Sequence, residues 1–330
     1  MAVSAKVFSP KEWKVAVVSD ATNAGDTGIG STMRQLDVDS VGMPSLNPNQ
    51  VLDVRSGAGR TFKDEDFFQD SILRVSEISL SGTLHSDAAH KMLLQNITNN
   101  TASENGIVAS GHNGTDQRYG AAVTNNCSSL TLVMQPSDVT NQQGLEFFGC
   151  VVTSFSISAD ATSEGGRYKF SATLQTGKKP DLASTASPTI TAYANTDIPK
   201  LSNGTGIRAM GKEVVLNTFS TTIEHPAVFS GLTTTGYEVV GRGAEIAVST
   251  EAQVKYDANT KTMINDYDVQ TSANTSDSFV IINDNAFGIN IDNAVYTDVA
   301  LSEGDMMMLD IALKSVDNGT NPLVTVDVTS

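Results

Sequence analysis

The feature that most restricts this chain is the two-residue period of its apolar side chains, which recurs from early in the sequence to its end. Ile78 and Leu80 alternate with polar residues between Ser76 and Leu84. Tyr168, Phe170, Ala172 and Leu174 alternate with Lys169, Ser171 and Thr173, and Val324, Val326 and Val328 alternate with Thr325 and Asp327. Successive side chains of a strand point to opposite faces, so these runs predict strands buried on one side and wet on the other. Clusters of Gly, Asn, Asp, Ser and Thr between the runs predict turns.

Helical patterning is scarce. Ser86 stands where an N-cap belongs, ahead of Ala88, Ala89, Met92 and Leu93, and predicts a helix ending near Asn96. Ser9 and Glu12 have capping-box spacing and predict a short N-terminal helical turn. Gln95 to Asn126 and Thr176 to Asn203 read as long polar loops, and loops of that length commonly contact a partner. A chain of 330 residues exceeds what one core usually organises. The expectation is therefore a mainly β protein of two tandem sandwich or barrel domains, 1–185 and 186–330, each with at most one short helix.

An internal match supports two related halves. Phe148-Gly149 and Ser163-Glu164-Gly165 recur as Phe287-Gly288 and Ser302-Glu303-Gly304, and 287 − 148 and 302 − 163 both equal 139. At the same spacing Tyr168, Phe170, Ala172 and Leu174 fall on Met307, Leu309, Ile311 and Leu313. Both segments thus predict a hairpin with one buried face. The strands before the turn disagree in parity, Val151, Phe155 and Ile157 against Ile289, Ile291 and Val295. A bulge, or cover on both faces, would account for that. Alternation makes Met307 a core residue and turns Met306 and Met308 toward another sheet or chain.

Charge narrows the function. The net charge is −16, which repels phosphate and disfavours nucleic-acid binding and anionic membrane surfaces. No apolar run approaches the length of a membrane span. Lys6, Lys11, Glu12 and Lys14 interrupt the first nineteen residues, so no secretory leader is expected. Cys127 and Cys150 are too few for a disulfide framework and read as thiols of a protein folded in a reducing cytosol.

No catalytic, cofactor-binding or metal site is expected. Gly206, Gly211 and Lys212 approximate a phosphate loop, but Glu213 replaces the required hydroxyl and would repel phosphate, so a glycine turn before a strand is the better reading. His85 and His90 lack zinc-ligand spacing, His112 and His225 are isolated, and all four read as surface or capping residues. Asp257, Asn259 and Lys261 echo a calcium loop, but Thr262 stands where that loop needs Gly and Asp268 where it needs Glu. Asp64 and Asp66 lie in a run that reads as a solvated face, and nothing suggests a nucleophilic triad.

The segment from Phe148 to Ile157, then Glu164-Gly165-Gly166, then Tyr168 to Gly177, resembles the closing hairpin of bacteriophage tail tube proteins. The helix after the strand at Ile78 to Leu84 is similar to the single helix of that fold, and Val15 to Met33 to its polar N-terminal arm. The resemblance extends to the subgroup with duplicated tube domains, although the second half offers no clear counterpart of the helix. It implies a non-enzymatic virion protein of a long-tailed phage, assembled in the bacterial cytoplasm. Three chains would form a pseudo-six-fold ring, and rings would stack into a conduit for DNA bounded by tape measure, tail terminator and baseplate or tail-tip proteins. DNA would pass without specific binding. The alternatives are a capsid decoration or fibre-like surface module, which would not stack, and a carbohydrate-binding β protein. The last needs an aromatic platform, yet Trp13 is the only Trp and aromatics make up 6%.

Overall fold

The alternating runs become strands. The computed structural model describes residues 12–20, 32–42, 49–52, 67–70, 75–98, 106–109, 129–136, 144–184, 187–194, 198–233, 236–242, 245–283, 287–303, 306–318 and 321–328, and these are mainly β. Before residue 185 come β1 (Lys14–Ser19), β2 (Met33–Leu36), β3 (Val38–Gly42), β4 (Asn49–Leu52), β5 (Phe67–Asp70) and β6 (Ser76–Thr83). Helix α1 (Ala88–Thr98), β7 (Gly106–Ala109), β8 (Leu130–Gln135), β9 (Gly144–Asp160), β10 (Lys169–Thr176) and β11 (Asp181–Ser184) follow. Next are β12 (Ile190–Thr191), β13 (Gly204–Ala209), β14 (Lys212–Glu213), β15 (Leu216–Glu224), β16 (Ala227–Thr233), β17 (Gly236–Arg242) and β18 (Ala247–Lys255). The chain closes with α2 (Met263–Asp268), β19 (Phe279–Asn283), β20 (Phe287–Ile291), β21 (Ala294–Ser302), β22 (Met308–Ser315) and β23 (Val324–Val328).

Eight strands form one continuous antiparallel layer in the order β3-β6-β10-β9-β15-β18-β22-β21. The junction of β9 with β15 carries it across residue 185. The first part of β9 also pairs with β8, which leads to β1, β2 and β12, while β20 lies in a six-stranded sheet ordered β14-β13-β19-β20-β23-β7. A single apolar cluster joins these layers, with Phe147, Phe155 and Phe170 from one half and Phe219, Phe279 and Ile289 from the other. Tyr168 is central: its ring meets Phe219 at 5.3 Å and Phe287 at 5.5 Å, both nearly edge-on. Aromatic pairs in this geometry add to the area they bury.

The two halves follow one pairing scheme. In the first, four strands are ordered β3-β6-β10-β9, and in the second β15-β18-β22-β21. Both contain the same two bulges. Asp39 is skipped between the pairs Val38–Gly82 and Ser40–Ser81, as Asn217 is between Leu216–Val254 and Thr218–Gln253. Thr153 is skipped between Leu174–Val152 and Thr173–Ser154, as Thr297 is between Leu313–Tyr296 and Ala312–Asp298. Hydrogen bonds recur with them. Thr83 N donates to Asp37 O at 3.1 Å and Lys255 N to Val215 O at 2.9 Å. Beside the second bulge, Val152 N donates to the Asn96 side chain at 2.7 Å and Tyr296 N to the Gln270 side chain at 2.9 Å. Each helix also follows the second strand of its set, so α2 occupies the place that the sequence left empty.

The hairpin match needs correction. Trailing strands keep the spacing of 139, pairing Lys169 with Met308 and Leu174 with Leu313 in position, but leading strands are 144 apart, Val152 with Tyr296 and Ser158 with Ser302. Ser163 lies in the first connection, whereas Ser302 still pairs with Met308, so the two Ser-Glu-Gly motifs are not equivalent. Ile289 and Ile291 belong to β20 rather than to the second hairpin. The bulge at Thr153 explains the parity: Val152, Phe155 and Ile157 enter the main core, while Val151 packs with Ala227 and Phe229. Met307 is not core. Strand β22 starts one residue later, and Met306 and Met307 are both exposed.

Other expectations shift as well. The cap of α1 is Asp87, whose carboxylate accepts from His90 N at 3.0 Å, not Ser86. The ends of the supposed polar arm, Val15 to Met33, are strands with Val15, Ala16, Val17, Val18 and Met33 buried. The stretch Gln95 to Asn126 begins inside α1 and contains β7, which pairs with β23. The stretch Thr176 to Asn203 contains β11, β12 and a 3-10 turn at Leu201–Asn203. Ser9, His112, Cys127, Asp64 and Asp66 lie outside the described residues.

Candidate functional site

Apart from the bulges, every second residue of the eight-stranded layer leaves the core, and most of those residues are polar. Strand β9 shows Ser154, Ser156, Ser158 and Asp160; β10 shows Lys169, Ser171 and Thr173; β15 shows Ser220 and Thr222. Beyond them stand Glu251 and Gln253 on β18, Asp310 on β22 and Asp298 on β21. Their hydroxyls and amides bind one another across strands. Thr222 Oγ1 donates to Ser156 Oγ at 3.1 Å, and Gln253 Nε2 donates to Asp310 Oδ1 at 2.9 Å. Such cross-strand pairs fix the side chains without an apolar platform.

Where the halves join, this face forms an open concavity of about 550 Å3. Five carboxylates, Asp160, Glu164, Glu251, Asp298 and Asp310, border it against two cations, Arg167 and Lys169. Lys169 lies between Glu164 at 2.8 Å and Asp39 at 3.2 Å. Burial opposes its charge, but the hydrogen bonds to those carboxylates outweigh burial and hold its pKa above the ordinary value. The bond from Lys169 in turn holds Glu164 below the usual carboxylate range. Hydrogen bonds from the Thr162 hydroxyl and backbone do the same for Asp160. The face therefore stays anionic at neutral pH and repels phosphate.

A second constellation ties the halves together behind this face. Arg242, at the end of β17, donates from Nη1 to Val152 O at 2.5 Å and to His225 O at 2.9 Å. Its Nη2 donates to Asn96 O at 2.5 Å and to the Asn96 side chain at 2.9 Å. His225 Nδ1 donates to Ile97 O at 2.7 Å, which makes Nδ1–H the tautomer of the neutral ring. Burial, then the Arg242 charge, push the His225 pKa down to about 4, against the pull of that bond. A guanidinium at the last carbonyls of α1 also complements the helix dipole. No sequence pattern marks Arg242, because three of the four acceptors named belong to residues 90 and 146 positions away.

The sequence-derived candidates fall into ordinary structural places. Gly206 is in β13, and Gly211 turns into β14 with φ of 78°, a hairpin from which Lys212 reaches Asp266 of α2. Asp257 accepts from Asn259 N at 2.8 Å and Thr260 N at 3.2 Å, a turn that leads into α2. The described histidines are not at the surface: His85 and His90 are fully buried and His225 nearly so. His85 Nε2 lies 2.9 Å from Asp37, and His90 Nδ1 lies 2.8 Å from Asp87. Cys150 is buried in apolar surroundings that push its thiol pKa up, which suppresses the reactive thiolate. Among the described residues no group of three or more His, Cys, Asp or Glu could hold a metal ion. No helix among them is long and apolar enough to cross a membrane.

No family model matches the chain, and no curated protein matches it.

Proposed function

We propose that the chain is a structural subunit of a bacteriophage tail tube, without enzymatic activity, in which an ancestral domain has been duplicated into units 1–185 and 186–330. The observation that carries this reading is the repeated four-stranded set, laid side by side in one layer with the same two bulges. A layer that already runs from one unit into the next suits a wall made by repeating that step. Three chains would supply six units of a ring, and rings would stack into the tail of the virion after assembly in the host cytoplasm. The hydroxyl- and carboxylate-lined face is suited to the lumen, where it would let DNA slide by without sticking. Tape measure, tail terminator and baseplate or tail-tip proteins would be the remaining partners.

Electron microscopy of the concentrated full-length protein tests this. The expected images are rings with three-fold or pseudo-six-fold symmetry, stacked into hollow tubes. A chain that stays monomeric at high concentration overturns the reading, and isolated trimers that never stack would favour a decoration or fibre-like module.

A further inference from the structure

Between the two pairing sets the chain runs along the first unit as a narrow strap, residues 187–194. Its contacts are few. Met33 N donates to Thr189 O at 2.9 Å, and β12 pairs with β2 at Ile190–Met33 and Thr191–Arg34. Ile190 packs on Ala16, Val18, Met33 and Val133, while Ser187, Thr189, Thr191, Ala192 and Ala194 are exposed. The far end of the strap is fastened at His85, which lies just beyond β6 and is fully buried. The Tyr193 ring lies against the His85 ring at 4.6 Å.

His85 meets an acceptor at each ring nitrogen. Nδ1 is 3.0 Å from Ala194 O, and Nε2 is 2.9 Å from Asp37 Oδ2. A carbonyl and a carboxylate can only accept, so both bonds form only when the ring carries two protons. The Asp37 carboxylate, which also accepts from the Tyr193 hydroxyl, balances the imidazolium charge. His90 stacks on His85 with centroids 5.8 Å apart, and it is placed differently. Its Nδ1 meets Asp87 at 2.8 Å, but its Nε2 has no hydrogen-bond partner among the described residues. A neutral His90 with its proton on Nδ1 satisfies that arrangement. Of the two stacked rings, one is therefore built to hold a charge and the other is not. On the adjoining strands Asp39 and Lys169 bond each other at 3.2 Å and offset one another, and Arg34 on β2 is exposed to solvent.

We propose that His85 is a proton-operated clasp: as an imidazolium it fastens the strap 187–194 to the first unit, and loss of one ring proton frees the Ala194 end. The carboxylate is the stronger acceptor, so the neutral ring keeps its Nε2–H on Asp37. The Nδ1 lone pair then faces Ala194 O, and a buried pair of acceptors without a proton between them is unfavourable. The proton passes to solvent, the strap opens as pH rises, and β2 loses its neighbour along that edge. The clasp works within one chain and does not depend on the tube reading.

Nitrogen-15 NMR of the full-length chain, in solution or on sedimented assemblies, should show a bonded proton on both ring nitrogens of His85 at about pH 5.5 and on one at about pH 8.5. Hydrogen-exchange mass spectrometry, corrected for the intrinsic rate at each pH, should show Met33 and residues 187–194 exchanging about tenfold faster at the higher pH. Asp37→Asn offers the neutral ring an amide donor at Nε2 and leaves Nδ1–H for Ala194 O, so it should hold the strap closed at both pH values. A single ring proton on His85 at the lower pH places the proton on Asp37 and overturns the proposal. A ring that keeps both protons at the higher pH overturns it too. So does a ring that titrates while the strap exchanges equally at both pH values, or an Asp37→Asn chain whose strap opens as the wild type does.

Discussion

Strand β9 runs unbroken from Gly144 to Asp160, whereas its counterpart is divided at Asp292 and Asn293 into β20 and β21. The unbroken strand belongs to both layers and has β15 along its outer edge. The divided strand has an edge from Asp298 to Ser302 with no such neighbour among the described residues. Equal pairing schemes thus end in unequal surroundings. The bulges and side-chain amide contacts recur in both sets, while Ile157 is buried beside β15 and Leu301, with no such strand beside it among the described residues, is exposed.

That comparison can be broken most severely at Gly82. A Cβ there would lie 2.0 Å from the Asp37 carbonyl oxygen, at the bulge between β3 and β6. Val254 holds the matching place in the second half. Gly82→Ala should cost about 4 kcal/mol in chemical denaturation, since backbone must move. Val254→Ala, a deletion from a packed site, should cost about 2 kcal/mol. A cost near zero for Gly82→Ala would mean that the backbone at this bulge accepts a Cβ, as it does at Val254 in the second half.

Acid should act on the junction through His225, which directly follows β15 and bonds the end of α1. Its folded pKa is about 4, below its ordinary value of 6.5, so the unfolded chain takes up the proton first. This contribution to stability is complete above pH 6.5 and is lost as pH falls through 4, by about 3 kcal/mol at the limit. His225→Gln, which can still donate to Ile97 O, should flatten the slope between pH 6.5 and 4 in thermal or urea unfolding. An unchanged slope would remove His225 from the account.

The amide contacts offer a finer comparison. Asn96 is buried and serves both Val152 N and Arg242, whereas Gln270 is half-buried and serves Tyr296 N. Asn96→Ala should cost about 3 kcal/mol and Gln270→Ala about 1 kcal/mol, because an unmet group is costly only when dry. The smallest expected effect is a gain. The Tyr168 hydroxyl is buried with no hydrogen-bond partner among the described residues, so Tyr168→Phe should stabilise by about 1 kcal/mol and raise the melting temperature. A loss would point to water at that site.

The sequence carried the strands well where one face is dry. Ile78, Leu80, Phe170, Leu174, Leu309 and Val326 are buried as their alternation requires. It failed where burial covers both faces or the register slips. Val15, Ala16, Val17 and Val18 are all buried, so no alternation announced β1, and the polar residues that follow suggested an arm. The connection from Ser302 to Met308, five residues shorter than that from Ser158 to Lys169, turned a uniform spacing of 139 into 139 on one strand and 144 on the other. Short α2 has too few residues for a clear period. The polar face was legible only as Ser- and Thr-rich strands, because its continuity depends on the β9–β15 junction between distant segments. Arg242 was invisible for the same reason.

The packing of Tyr168 also sets a timetable for biosynthesis. Its ring rests against Phe219 and Phe287, so the first unit cannot finish its interior until the ribosome has released nearly the whole chain. An incomplete nascent chain therefore lacks both its finished core and the late strand β21.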